Sequence, residues 1–405
     1  MRVSLGRSTS HLTYCTNIHA GEEWEDVADS LRHNLPAIRA AVCPNQPLGI
    51  GLRISASMAK ALNRDGQLPS LLELLGDDYY VFTVNGFPYG TFHGQPVKDG
   101  AYRPDWTDPE RLRYTNEIAD ILWQLVPEGM SGTISTVPCS FKPWHTARES
   151  SEQAATTSAR HIAQHAAHLW TLERERGVHL QLAIEPEPFC LLETIAETVQ
   201  FFTQSLFDGE GLASFRQTTG ISASESVDAL KRYVGVCYDV CHAAVEFEDP
   251  KASLDALADA GISISKLQLS SALRLKSVDE ERASALRAFD EPVYLHQTME
   301  KADQGMRAYQ DLSQALSNVD EATGSEWRSH FHVPIFLDRL EHFDTTQEFL
   351  TTVLNIHART PVTSQLEVET YTWDVLPQQY RNVSVAEAIA RELNWVLSTL
   401  GSTPA

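Results

Sequence analysis

Short apolar runs alternate with longer stretches in which apolar residues recur every three or four positions. The short runs cover 12–19, 48–55, 79–86, 132–139, 179–187, 234–242, 262–270 and 365–371. Each is rich in β-branched or apolar residues and reads as a strand. The intervening stretches read as helices. Trp24, Val27, Leu31 and Leu35 share one face. Thr107 and Glu110 form a capping-box pattern, with Pro109 early in the first turn. A long helix is expected over 148–176, stopped by Gly177. Further helices are expected over 191–206, 252–260 and 345–356. Ser384 and Glu387 cap a last one, ending near Leu400. Eight strands alternating with helices predict a parallel sheet closed into a (β/α)8 TIM barrel. The rival is a doubly wound open sheet, which normally carries a glycine-rich phosphate loop after the first strand. Residues 16–22 hold no such loop.

The chain has 405 residues, roughly 150 more than a minimal barrel. The excess is assigned to insertions at about 208–224 and 275–328. The first reads as a Gly/Ser/Thr surface loop, the second as a charged, partly helical segment. No linker, repeat or low-complexity tract divides the sequence, so 1–405 is taken as one domain.

Charge narrows the function classes. With 54 acidic residues against 32 Lys and Arg, the formal charge is −22. Such a surface repels nucleic-acid backbones and anionic membranes. No apolar run is long enough for a spanning helix. No secretory h-region is visible at the start, and the six cysteines form no CxxC pair. A cytoplasmic protein with reduced thiols is expected.

In a barrel the chemistry sits where the strands end, at the C-terminal face. Strand parity then selects the inward side chains. On the fifth strand, Gln181, Ala183, Glu185 and Glu187 face inward; on the eighth, Gln365, Glu367 and Glu369. A buried carboxylate is costly unless it is paired or binds a metal. The plain alternative for each is a rim acid meeting water or arginine. On the sixth strand, Asp239 and His242 reach the rim, a carboxylate and imidazole suited to Zn, Mn, Co or Fe. The alternative there is a helix N-cap and a surface histidine. On the seventh, Lys266, Gln268 and Ser270 face inward. After the second insertion, His330 and His332 have a metal-ligand spacing, or one simply holds the other. Earlier strand ends offer a substrate pocket: Asn17 and His19, Arg53, and the loop from Asn85 to His93 with Phe87, Tyr89 and Phe92. Arg53 would grip a phosphate or carboxylate, or pair with one of the acids. His161, His165 and His168 share a helix face with no acidic strand end tied to them and read as a solvated or packed face.

Glu185, Asp239-x-x-His242 and Glu369 resemble the xylose-isomerase-like barrel superfamily of sugar-phosphate isomerases and epimerases, inosose dehydratases and endonuclease-IV-type enzymes. More closely, TYCTNIHAGEEW (13–24), NGFPYGTFHG (85–94), AIEPEPFCLLET (183–194), CYDVCHAAVEFE (237–248), LQLSSAL (267–273), HFHVPIF (330–336) and LEVETYTWDVLP (366–377) are similar to the bacterial EboE metabolite traffic family. The resemblance spans nearly the whole chain. It implies a divalent metal held by Glu185, Asp239, Glu369 and His332, and a small-molecule substrate of sugar or cyclitol type or its phosphate. It also implies Ebo-pathway proteins or a second copy as partners. In one departure, Gln268 stands where many superfamily members have a histidine.

Three readings follow. The first is a metal-dependent isomerase or epimerase, with Glu185, His242 and Glu367 as the proton-moving groups. His19, Arg53, Asn85, His93, Glu187, Gln268 and His330 would then hold the substrate. The second is a metal-dependent hydrolase of phosphodiesterase type with two or three metals. The third is a non-catalytic protein that binds a metabolite or partner.

Overall fold

The computed structural model describes residues 1–6 and 8–402. Eight strands form the barrel: β1 (Ser8–Tyr14), β2 (Leu48–Arg53), β3 (Tyr79–Asn85), β4 (Gly132–Thr136), β5 (Leu180–Ile184), β6 (Val234–Asp239), β7 (Ile264–Leu269) and β8 (Gln365–Val368). Each lies within or overlaps an expected window. They run parallel in the order β1-β8-β7-β6-β5-β4-β3-β2, with the strand Arg2–Leu5 added antiparallel to β1. One bridge between Cys15 and Gly51 draws the two ends together, so the barrel is nearly closed. At that seam a Cβ on Gly51 would lie 1.7 Å from Glu367 Oε2. Glycine is what lets the Glu367 side chain fill the interior there.

Helices cover the outside of the barrel. Pro109–Leu125 is capped by Asp108, which accepts from the Glu110 amide; Thr107 instead donates to Asp105. Arg148–Arg176 ends at Gly177 in the left-handed conformation. Ile195–Phe201 starts from a full capping box of Thr194 and Glu197. Among the described residues no helix is long and apolar enough to cross a membrane.

Two insertions differ from expectation. Segment 208–224 is largely helical, with helices Gly209–Thr219 and Ala223–Tyr233. Its Gly, Ser and Thr content hid two signals: Phe215 is fully buried, and Ser222 with Glu225 forms a capping box. The segment after β7 is partly helical, with the short helices Glu280–Leu286, Leu312–Leu316 and Val319–Ala322, but it holds more than that. It folds an antiparallel sheet in the order Gly305–Tyr309, Thr298–Ala302, Glu326–Ser329, Leu273–Leu275 and Asp344–Thr345. That sheet leaves the end of β7 and delivers His330 and His332 to the barrel mouth.

The last helix, Val385–Thr399, buries Glu392. Its Oε1 accepts from the Ile335 amide and the Thr370 hydroxyl. Burial pushes this carboxyl up to about 7 from 4.5. Between those values the folded chain holds one proton more than the unfolded chain, so stability falls as pH rises. The penalty reaches at most about 3 kcal/mol above pH 7. Glu392→Gln keeps the acceptor and removes the charge. Urea unfolding is expected to show the variant more stable than the parent at pH 8 and equal to it at pH 5. The same difference at both pH values would contradict this account.

Candidate metal centre

Pro186 ends β5 directly after Glu185. It leaves the Glu185 carboxylate at the inner rim, with Oε1 accepting from Gln268 Nε2 at 3.4 Å and Oε2 without a partner. Asp239 ends β6 and caps the helix Val240–Val245. Its Oδ1 accepts from the His242 amide at 2.9 Å and the Ser270 hydroxyl at 2.8 Å; its Oδ2 is buried without a partner. The N-cap and the site residue are therefore the same side chain. Glu369 follows β8, and its Oε1 accepts from Asn17 at 2.7 Å and Asn85 at 3.1 Å. Ligand atoms of Glu185, Asp239 and Glu369 lie within 4.8 Å of one another. All three residues are nearly inaccessible. Burial, then the charges of Glu369 and Asp239, push Glu185 well above the usual carboxylate range.

Three imidazoles adjoin this trio. His242 Nε2 is 3.1 Å from His330 Nε2, which is 3.2 Å from His332 Nε2. Each Nδ1 faces an oxygen acceptor: Pro186 O at 2.9 Å for His242, Gln297 Oε1 at 2.8 Å for His330 and Glu369 O at 3.0 Å for His332. Those acceptors fix each proton on Nδ1 and leave the Nε2 lone pairs converging. Lone pairs at that spacing repel unless a metal ion or a proton lies between them. Asp239, His242 and His332 also cluster within 4.8 Å, as do Glu187, His242 and His330. The orphaned oxygens of Glu185 and Asp239, together with the mixed carboxylate–imidazole donors, fit a divalent transition metal.

A cleft enclosing about 500 Å³ of open space lies above these groups. Glu185, Glu187, Glu369, His242, His330 and Asn85 all face it. Glu187 Oε1 accepts from Tyr102 at 2.6 Å. Burial raises its carboxyl to about 7, against the opposing pull of His242. Burial pushes His242 down, but Asp239, Glu187 and Glu369 outweigh it and hold the imidazole above its usual value.

Several expected site residues stand elsewhere. Glu367 lies one layer below the mouth, ion-paired with Lys266 at 2.7 Å, and does not face the cleft; this corrects its placing among the proton-moving groups. Arg53 pairs with Glu22 and donates to the Gly90 carbonyl, joining two loops rather than meeting the cleft. Of its two alternatives the acid pairing is realised, with an acid outside the site. His19 bonds the Tyr14 hydroxyl at 3.1 Å and shares a separate small cavity with Arg53. His93 packs edge-on against Phe92, and neither ring nitrogen has a partner. Gln268 lies below Glu185 and reaches the site only through it. Of the aromatics expected over the mouth, Phe87 and Phe92 face the cleft, while Tyr89 turns to Glu110.

Other residues were missed. Tyr371 continues the parity of Glu367 and Glu369, a signal the sequence offered. Gln297 directly precedes the inserted strand Thr298–Ala302, with no pattern to mark it. Its amide nitrogen donates to Tyr102 Oη at 2.8 Å and Pro188 O at 3.2 Å, which leaves its oxygen to accept from His330. Gln297→Leu removes that orienting bond, so chelator competition should show metal affinity lower by about 10–100-fold. Unchanged affinity would contradict the role.

No family model and no curated protein matches the chain. Among solved structures, a xylose isomerase-like TIM barrel protein from Mycobacterium smegmatis, in complex with magnesium, is similar over 96% of this chain and 96% of its own. The identity is 9% and the TM-score 0.50. The chain has the xylose-isomerase-like TIM-barrel fold. The IOLI protein, solved with a binding zinc atom, is similar over 96% of this chain and 98% of its own, at 10% identity and TM-score 0.47. D-allulose 3-epimerase from Methylomonas sp., in complex with D-allulose, covers 70% and 83%, at 14% identity and TM-score 0.36.

Proposed function

We propose that this barrel is a divalent-metal-dependent isomerase or epimerase acting on a hydroxylated small molecule of sugar or cyclitol type. The observation that carries the reading is the convergence of three buried carboxylates and three oriented imidazoles at one cleft floor. Glu185, Asp239 and Glu369 would hold the metal, with His332 and His242 beside them. A bound divalent cation supplies a Lewis acid that polarises a substrate carbonyl or hydroxyl oxygen. Glu187, steadied by Tyr102, is the carboxylate placed to exchange a proton with a substrate carbon in the cleft. Asn17 and Asn85 fix Glu369 by donating to one of its oxygens. The ring cluster of Phe92, Tyr294 and Tyr371 shields the floor from water. The segments quoted above support a place among EboE-type metabolite traffic proteins.

The test is proton exchange. Metal-loaded protein is incubated in D2O with ketoses, aldoses and inososes, and deuterium at carbons beside the carbonyl is read by NMR. Exchange that is lost in Glu185→Gln is expected. No exchange with any of them, in protein shown to hold metal, would contradict the reading. A second reading, a metal-dependent hydrolase, draws on Asp239 belonging to both a carboxylate trio and an imidazole cluster, which would suit two cations. Two metals per chain together with phosphodiester cleavage would favour it.

A further inference from the structure

The cleft has two unlike halves. Its floor carries Glu185, Glu187 and Glu369 with His242 and His330. Opposite lie Phe87, Phe92, Tyr294 and Leu295, and Tyr371, whose hydroxyl is 3.4 Å from His330 Nε2, joins the two halves. Three of those rings come from separate segments of the chain. Phe92 lies 5.0 Å from Tyr294 and 5.4 Å from Tyr371, and Tyr294 lies 5.0 Å from Tyr371, centroid to centroid.

The cations around this cleft are committed to other partners. Lys98 faces it, but its ammonium has three N–H donors and meets three acceptors. These are Asp311 at 2.7 Å, the Tyr294 carbonyl at 2.7 Å and the Glu291 carbonyl at 3.2 Å. Arg53 is held by Glu22, and Lys266 by Glu367. Arg111 spends its donors on the carbonyls of Pro104, Gly86 and Phe87. Among the described residues facing the cleft, no cationic side chain is left to receive a phosphate. Phosphate recognition needs charged donors or an open helix N-terminus. The helix N-terminus at the mouth is capped by Asp239 itself.

We infer that the substrate is an uncharged, hydroxylated ring that carries an apolar substituent, its hydroxyls on the acidic floor and the substituent against the Phe92–Tyr294–Tyr371 roof, and that phosphate esters are rejected. The inference rests on the metal-enzyme reading above. It narrows the substrate from a sugar, cyclitol or phosphate to a neutral amphiphile. A bare polyol would leave the ring faces of Phe92, Tyr294 and Tyr371 uncovered.

The test uses protein loaded with Mn2+, dialysed free of excess metal and assayed for bound manganese. Three probes are titrated: myo-inositol, a mono-O-benzyl-myo-inositol and myo-inositol 1-phosphate. Paramagnetic broadening of their 1H and 31P signals reports approach to the centre. The benzyl ether is expected to bind at least ten-fold tighter than inositol, and the phosphate at least ten-fold more weakly. Tyr294→Ala is expected to erase most of the benzyl advantage. A phosphate that binds as tightly as inositol, a benzyl ether that binds no tighter, or no broadening by any probe would overturn the inference. Protein that binds no manganese would overturn the metal reading and this inference with it.

Discussion

Lys266→Met is expected to lower stability by about 3–5 kcal/mol, the cost of leaving a buried charge without its partner. Lys266 and Glu367 are both fully buried in the barrel interior, 2.7 Å apart. Burial pushes Glu367 up, and the Lys266 ammonium holds it back. The ammonium also donates to Ser135 at 3.2 Å. Without it, Glu367 must stay charged in an apolar layer or take up a proton. Either state is unfavourable relative to the pair. The double variant Lys266→Met with Glu367→Leu replaces ions with apolar volume and should recover most of the loss. Urea unfolding at pH 7 measures both. A single variant within 1 kcal/mol of the parent, or a double variant no better than the single, would show that the pair is not the structural element described.

Loading with a divalent metal is expected to stabilise the fold by about 4 kcal/mol when free metal is about a thousand times Kd. The source is relief of repulsion. Burial and the charges of Glu369 and Asp239 already push Glu185 up, so the metal-free floor is strained by like charges. The three Nε2 lone pairs, 3.1 and 3.2 Å apart in sequence, add to it. Thermal unfolding with Mn2+, Zn2+ or Co2+, against chelator-treated protein, reads the effect. Asp239→Ala removes a residue of both clusters and should abolish the metal-dependent rise. An equal rise in parent and variant would place the metal elsewhere.

The barrel was legible because most of its strands are buried and rich in apolar residues; β1, exposed at Ser8 and Thr9, was read only from Leu12 onward. Polar residues at their ends then stand out: parity pointed to Glu185, Asp239 and Glu369, and His242 follows three residues after Asp239; the structure brings these side chains together. Parity finds direction but not depth. Glu367 and Glu369 point the same way, yet Glu367 lies a layer lower, at the register of Gln268, where Lys266 meets it. Arg53 was ambiguous for a different reason: its partner Glu22 lies on a loop, which no periodicity places. The inserted sheet was hidden because its strands are short, two to five residues each, and each carries at least one charged residue. Gln297 therefore carried no signal, although it orients His330. Which of these residues share one cleft came from the structure.

The central claim is that Glu185, Asp239 and Glu369, with the neighbouring imidazoles, form a metal centre. Elemental analysis of freshly purified protein, with Asp239→Ala beside it, tests this most directly. The account predicts about one equivalent or more of Mn, Zn, Co or Fe in the parent and its loss in the variant. A parent that holds no metal even after reloading, or a variant that retains the parent's full content, would contradict it.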